Sequence, residues 1–574
     1  MGRFNLLDEP WISVVVDDKG TSKEVSLKAL FENAHLFKDF GGDSKTQDFA
    51  LMRVLLAVLH TVFSRFNANG EKYEYFSLDS RFKQIEEIDE EDLVDYKDEL
   101  YDTWIELWKR RNFPGIVCDY LEKWRERFYL FDEEYPFFQV RAEDISIEKI
   151  SRNKPTPIAG KNINRLISES GNKVALFSPK FEKDDNKDRL RYAEIARWLI
   201  TFQAYTGLGD KVIFGKEKYK ASKGWLFDLG GIFLKGSNIF ETLMLNFFIV
   251  CEESNNLLNI QQPCWELEPD GLVEKYFIED ISNIASLYTA WSRAIYIDPM
   301  FDESQPFCCY IVKLPEIRHT DNFLEPMTLW RYNESGNNKG LYTPRKHAVN
   351  KSVWRSFGLI AISERGKFKR KPGIIDWLND INSKLTDYTD LPELNPDISA
   401  VGMQDDGNAT SWVPTDEIFD TLSIESFILT DLSEAGWVSR INETVEKTKK
   451  VVSVLYKKFL TDIKEIRNLQ SDLFVDQKIE ELYFIIDTPF RKWIAGIRYS
   501  DCKDKDSKIK DWWKELYNLV RREAYELYLN GCMRDYMGIE KNGKMINIAT
   551  AYNYLIRSLN NEIYFKEEKD GDRE

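Results

Sequence analysis

Ala435-Gly436-Trp437-Val438-Ser439-Arg440-Ile441-Asn442-Glu443-Thr444-Val445-Glu446-Lys447-Thr448-Lys449-Lys450-Val451-Val452-Ser453-Val454-Leu455 decides the C-terminal architecture of this 574-residue chain. Val438, Ile441, Val445, Val452 and Leu455 recur at helical spacing and predict one long amphipathic helix over 435–466. Segments 472–497, 507–529 and 546–559 repeat the pattern, with polar linkers such as Ser500-Asp501-Cys502-Lys503-Asp504. Four such helices joined by modest loops predict a four-helix bundle over 416–574.

Working back towards the N-terminus, the pattern mixes. Trp11-Ile12-Ser13-Val14-Val15-Val16 is β-branched and stops at Asp17-Asp18-Lys19-Gly20, so a strand enters a hairpin there. A short helix starts at Ser26. A longer amphipathic helix is expected over 48–66, with Leu51, Leu55, Val58 and Val62 on one face. Between 140 and 415 the periodicity weakens and Gly- and Lys-bearing stretches interrupt it, leaving function to loops. The expected fold class is α+β: a large mixed, loop-rich domain over 1–415, then the bundle over 416–574.

Hydrophobic residues make up 43 % of the chain and aromatics 14 %, which excludes a disordered polymer. A net charge of −17 excludes a protein that coats nucleic acid by itself. Seven scattered cysteines without a C-x-x-C read as reduced thiols. Two acids appear before any signal-peptide apolar stretch, and the most apolar segment, 49–66, carries Arg53, His60 and Arg65. A soluble, cytoplasmic protein with no membrane partner is expected.

Catalytic signatures are missing. Gly160-Lys161, Gly215-Lys216, Gly366-Lys367 and Gly543-Lys544 are never followed by Ser or Thr, so no P-loop is formed. Four histidines, none beside an Asp and no two within a turn, disfavour metal hydrolases. No catalytic residue, metal or cofactor is expected. A metal-dependent nuclease or other hydrolase built on an unrecognised carboxylate site is the alternative reading.

Base is concentrated where acid is sparse. Lys211, Lys216, Lys218, Lys220 and Lys223 interleave with Phe214 and Tyr219; Arg365 to Lys371 holds five basic residues in seven; Arg345-Lys346-His347 with Lys351 and Arg355 is a third cluster. A solvated face is the ordinary reading of any one of them. Three together, two on glycine-bearing loops, point to a polyanion. Gly207-Leu208-Gly209-Asp210 precedes the first cluster, either as a turn with Gly207 at the C′ position of a helix over 192–205, or as a backbone surface open to a ligand.

Phe4-Asn5-Leu6-Leu7-Asp8-Glu9-Pro10-Trp11-Ile12 resembles the N-terminal signature of the CasA family, the large subunits of type I-E CRISPR Cascade complexes. Ser13-Val14 stands where that family has Pro-Val. Tyr135-Pro136-Phe137-Phe138-Gln139-Val140 is similar to a second family segment, and the order of elements matches along the whole chain. The resemblance implies a non-catalytic subunit of an antiviral crRNA-guided complex. It would read the protospacer-adjacent motif (PAM) in double-stranded target DNA, help open the duplex, contact crRNA-containing subunits and receive a helicase–nuclease.

Carried over by residue, the resemblance assigns PAM binding to Gly207, Leu208, Gly209, Asp210 and Lys211. It puts a guide-RNA and subunit loop at Phe177, Ser178, Pro179 and Lys180. Phosphate contacts would come from Lys216, Lys218, Lys220, Lys223, Lys367, Lys369, Arg370 and Lys371. The family's glutamine wedge corresponds to 402–412, where Gly407 stands in register and Asn408 after a one-residue shift, with Gln404 as the alternative. No lysine occurs in Phe323–Thr328, where some members have a reading lysine; Arg331 is nearby.

Overall fold

The computed structural model describes residues 2–170, 173, 176–177, 188–209, 212–249, 259–362, 370–386, 388, 391, 394–407, 413–541 and 543–563. Two compact units emerge: Met1–Val349 with Ser363–Thr421, and Asn350–Ile362 with Leu422–Glu574. The expected boundary after residue 415 falls inside a strand, Pro414–Ser423. A strand is one hydrogen-bonded object, and the division comes near its end.

The first unit is organised by the helix Lys45–Phe63, whose every residue after Lys45 is buried. It is the one helix among the described residues that is long and apolar enough to cross a membrane, yet the protein's own core occupies all its faces. The amphipathic face expected from Leu51, Leu55, Val58 and Val62 is therefore a correction: helices Tyr192–Tyr205, Ile284–Tyr288, Ile116–Lys123 and Ile239–Asn246 and strand Asp397–Asp405 surround it. Ser44 caps it, its Oγ accepting from the Gln47 N–H at 3.1 Å.

Three three-stranded sheets lie along this part of the chain, and the third of them packs on the core helix through Asp397–Asp405. In the first, Ile12–Val15 lies between Ser22–Val25 and Asp39–Phe40. The second places Cys308–Lys313 between Thr156–Ala159 and Arg293–Tyr296, all antiparallel. In the third, Asp397–Asp405 lies between Gly231–Lys235 and Pro414–Ser423. The two signature segments are packing devices. Leu6, Leu7 and Trp11 are buried, with the Trp11 Nε1–H donating to the Leu6 carbonyl at 2.9 Å. Gln139 donates Nε2–H to the Leu130 carbonyl at 2.7 Å.

The second unit holds the bundle. Its first helix joins Trp437–Lys450, a π-helical turn Val451–Tyr456, and Lys457–Arg467. Leu473–Ala495, Lys505–Leu529 and Ile548–Ile563 complete the bundle, and the first helix packs on all three of them. Within the π turn Tyr456, four residues after Val452, is buried, and Leu455, expected on the apolar face, is half-buried. Asn350–Ile362 also belongs to this unit: the Trp354 ring stacks on Phe490 at 4.2 Å and its Nε1–H donates to Asp487 Oδ1 at 2.8 Å. Short-range periodicity carries no signal for so remote a partner.

His60, sealed in the core helix against Phe247 and Tyr288, has its pKa pushed down to about 3 by burial. The unfolded chain binds this proton near the ordinary 6.5 and the folded chain does not, so stability falls as pH drops below about 6.5. From pH 7 to 5.5 this one group costs about 1 kcal/mol. His60→Leu should lose about that much less stability over the same interval, read from urea midpoints at the two pH values.

Candidate nucleic-acid interface

Helix Tyr192–Tyr205 ends in Thr206, which is extended (φ −59°, ψ 135°), and the chain enters Gly207-Leu208-Gly209. Neither glycine has a positive φ, so Gly207 is not the left-handed C′ residue one sequence reading offers. Crowding explains Gly209 instead. A Cβ there would sit deep inside contact with Glu169 Oε2 and 3.0 Å from Glu169 Cβ.

Glu169 itself is buried and pairs with Arg293, Nε to Oε1, at 2.5 Å; both side chains are fully excluded from solvent. The guanidinium donates further to the carbonyls of Ser222 at 2.6 Å, Ser292 at 2.8 Å and Gly207 at 2.8 Å. Lys313 donates its Nζ–H to the Gly209 carbonyl. From the other side, the Gly207 N–H donates to the Ile167 carbonyl at 3.3 Å. Ile167 follows a π-helical turn, Asn162–Leu166, and holds φ 45°, a left-handed conformation costly for a β-branched residue.

A trans peptide points its C=O and the following N–H in opposite directions. With the Gly207 carbonyl held inward by Arg293, the Leu208 N–H points away from that guanidinium. Neither Leu208 nor Gly209 donates its N–H to any described residue. Gly207 and Gly209 are buried and Leu208 is half-buried, so the Leu208 N–H, without a partner among the described residues, is the donor this loop can offer to phosphate or base-edge oxygens. Asp210 and Lys211 lie outside the described residues.

The hairpin Asp397–Asp405/Pro414–Ser423 closes through the Asp406 N–H donating to the Val413 carbonyl at 3.2 Å. Gly407 follows with φ +66°, its N–H on Asp405 Oδ1 at 3.0 Å and open space where a Cβ would be. Gln404 is half-buried beneath it, and Asn408 lies outside the described residues. Two ion pairs fix the hairpin base: Lys173 to Asp406 at 2.7 Å and Lys346 to Asp405 at 2.8 Å. Lys346 also pairs with Asp228 at 3.5 Å, and Asp228 with Lys223. Ser222 and Lys223 therefore connect Arg293, beneath the glycine loop, to the hairpin base.

The remaining basic residues sort by their partners. Lys216 is exposed but donates to the Ile150 carbonyl at 2.7 Å and the Ile147 carbonyl at 3.2 Å. Lys220 pairs with Glu316 at 2.6 Å. Lys218 is exposed and has no ion pair among the described residues. Lys371 is a correction: it is 5 % exposed and pairs with Asp376 at 2.7 Å, committed to the interior. Lys223 is a second, since Asp228 holds its ammonium. Lys367 and Lys369 lie outside the described residues.

Arg370 lies 3.7 Å from the centre of the Phe323 ring, in the segment where a lysine is missing. This guanidinium comes from far along the chain, which no local reading of Phe323–Thr328 reveals. Arg331 is exposed on the strand Trp330–Tyr332. Phe177 packs its ring on Trp198 at 5.7 Å; Ser178, Pro179 and Lys180 lie outside the described residues. The third cluster is divided: Arg345, Lys346 and His347 belong to the first unit, Lys351 and Arg355 to the second. Among the described residues no three His, Cys, Asp or Glu gather as a metal-holding group.

The model of the CRISPR-associated protein Cse1 family matches residues 5–522. A curated relative, CRISPR-associated protein CasA/Cse1 of Thermus thermophilus, is 27 % identical over 377 residues, covering 64 % of this chain and 61 % of that protein. Thermobifida fusca Cse1 superposes with a TM-score of 0.73 at 23 % identity, over 98 % of each chain. A chain of a CRISPR RNA-guided surveillance complex gives 0.66 at 15 % identity, over 97 % of this chain and all of that one. These two likenesses concern the fold.

The two glycines should both lose stability on gaining a methyl group, for different reasons. Gly209→Ala forces Glu169 aside and should cost about 1–3 kcal/mol by overpacking. Gly407→Ala meets only the left-handed penalty of about 1–2 kcal/mol, and Gly407→Asn less still. Urea denaturation checks both costs, with Gly407→Asn expected to be more stable than Gly407→Ala.

Proposed function

Because the chain belongs to the CRISPR-associated Cse1 family, we propose that it is the large, non-catalytic subunit of a crRNA-guided antiviral surveillance complex. In that role it recognises the PAM in double-stranded DNA, helps open the duplex and supports recruitment of a helicase–nuclease. Its other partners are the crRNA-containing subunits, contacted near Phe177.

One observation supports the DNA reading: a loop whose Gly207 and Gly209 carbonyls are drawn inward by buried cations and whose Leu208 N–H has no partner among the described residues. Such donors suit the minor groove, where every base pair offers acceptors and the readout is tolerant. The hairpin supplies the second element. Gly407 gives a tight tip, and the wedge falls to Asn408 beside it, or to Gln404 at its base. Unstacking a base step costs a few kcal/mol, which guide pairing and backbone contacts offset.

Assembly with crRNA-loaded partner subunits, followed by binding to duplexes with and without candidate PAMs, tests this reading. The expected result is PAM-dependent binding that requires this subunit and is abolished in Gly209→Trp, whose incorporation into the complex is followed separately. Wild-type discrimination by that variant overturns the glycine-loop assignment. Sustained Mg²⁺- or Mn²⁺-dependent cleavage of DNA by the purified protein, lost on a point mutation, overturns the non-catalytic role.

Lys218 and Lys371 should separate in salt titrations. Lys218→Ala is expected to reduce the slope of log affinity against log salt by about 1 for all duplexes alike. Lys371→Met should leave that slope unchanged, because its ammonium is already spent on Asp376.

A further inference from the structure

Arg293 and Lys313 are directly opposite one another in the antiparallel pair Arg293–Tyr296/Cys308–Lys313. Arg293 is fully buried and Lys313 is 7 % exposed. Like charges as cross-strand neighbours are destabilising, and burial sharpens the penalty. Stability alone favours an apolar side chain at 313. Both cations nevertheless reach the same three-residue loop, one to the carbonyl of Gly207 and the other to that of Gly209.

Taking the PAM reading of the glycine loop as its basis, we propose that Lys313 is a positioning residue for that readout, acting with Arg293. The two side chains hold the loop's carbonyls on the protein side, and peptide planarity then fixes which backbone edge faces outward. Neither cation touches DNA in this arrangement. Glu169 completes the device: its Oε1 orients Arg293, while its Oε2 has no hydrogen-bond partner among the described residues and would crowd a Cβ at Gly209. The loop is thus gripped at both carbonyls and blocked from collapsing inward. Recognition by backbone requires such a grip, because a loop free to rotate its peptides would offer acceptors and donors by turns.

Lys313→Met and Lys313→Arg, each assembled into the crRNA-loaded complex, test the proposal through the affinity ratio between PAM-bearing and PAM-less duplexes. In Lys313→Met the ratio should fall about tenfold or more, as expected for losing a charged hydrogen bond, with PAM-less affinity and salt slope unchanged. Lys313→Arg, which keeps a donor, should restore most of the ratio. An unchanged ratio in Lys313→Met, or an equal loss on both duplexes, overturns the proposal.

Hydrogen exchange on the free full-length chain provides an arm without DNA. Faster exchange in Lys313→Met confined to 206–209 supports positioning. Faster exchange that spreads through Tyr192–Tyr205 and both strands shows plain structural support and overturns it. A wild-type complex without PAM preference overturns the functional reading instead, and the exchange result still decides whether Lys313 sets the loop.

Discussion

A guanidinium sealed from water must be matched by a carboxylate, and three such pairs hold the first unit together. Arg53 meets Glu325 at 2.6 Å, Arg65 meets Glu266 at 2.7 Å, and Arg293 meets Glu169 at 2.5 Å, all six side chains essentially without solvent exposure. Their partners are 272, 201 and 124 residues apart in sequence, so each pair closes a long excursion of the chain. Losing one partner leaves a bare buried charge, a penalty of about 3–5 kcal/mol. Two of the pairs flank the core helix through Arg53 and Arg65, with Trp225 and Tyr120 donating to the same carboxylates. The third underlies the glycine loop. The constraint that knits the core thus also shapes the surface proposed to read DNA.

The same accounting changes the meaning of the basic clusters. Counted by residue, 211–223 and 365–371 are dense in charge. Among their described residues several are already engaged: Asp228, Glu316 and Asp376 hold Lys223, Lys220 and Lys371. A protein of net charge −17 is expected to bind arbitrary duplex weakly, and under the proposed role selectivity would fall to shaped backbone rather than bulk charge. This suits a subunit whose partners supply most of the grip on DNA.

Much of the fold was legible in the sequence because its signals are local. The four C-terminal amphipathic segments became four helices, and the β-branched run at Ile12–Val15 became a strand with Ser22–Val25 beside it. What escaped is non-local. Helix Lys45–Phe63 reads as one-sided from its spacing, but its Arg53 and His60, and Arg65 just beyond it, are buried through partners no window of residues includes. Arg370 over Phe323 and Trp354 on Phe490 escaped for the same reason. The glycine loop was visible as a motif, whereas the cations beneath it, Arg293 and Lys313, had no signal at all: a lone basic residue in a strand reads as solvent-facing.

The π turn at Val451–Tyr456 gives the bundle's first helix a change of phase. A turn closed by i→i+5 bonds is wider than an α turn and gives up an i→i+4 bond. Phe459, Leu460, Ile463 and Ile466 beyond it are buried, as are Val438, Ile441 and Val445 before it. The rod is thus packed on both sides of its wide rung, and the cost of that rung falls on the backbone ladder alone.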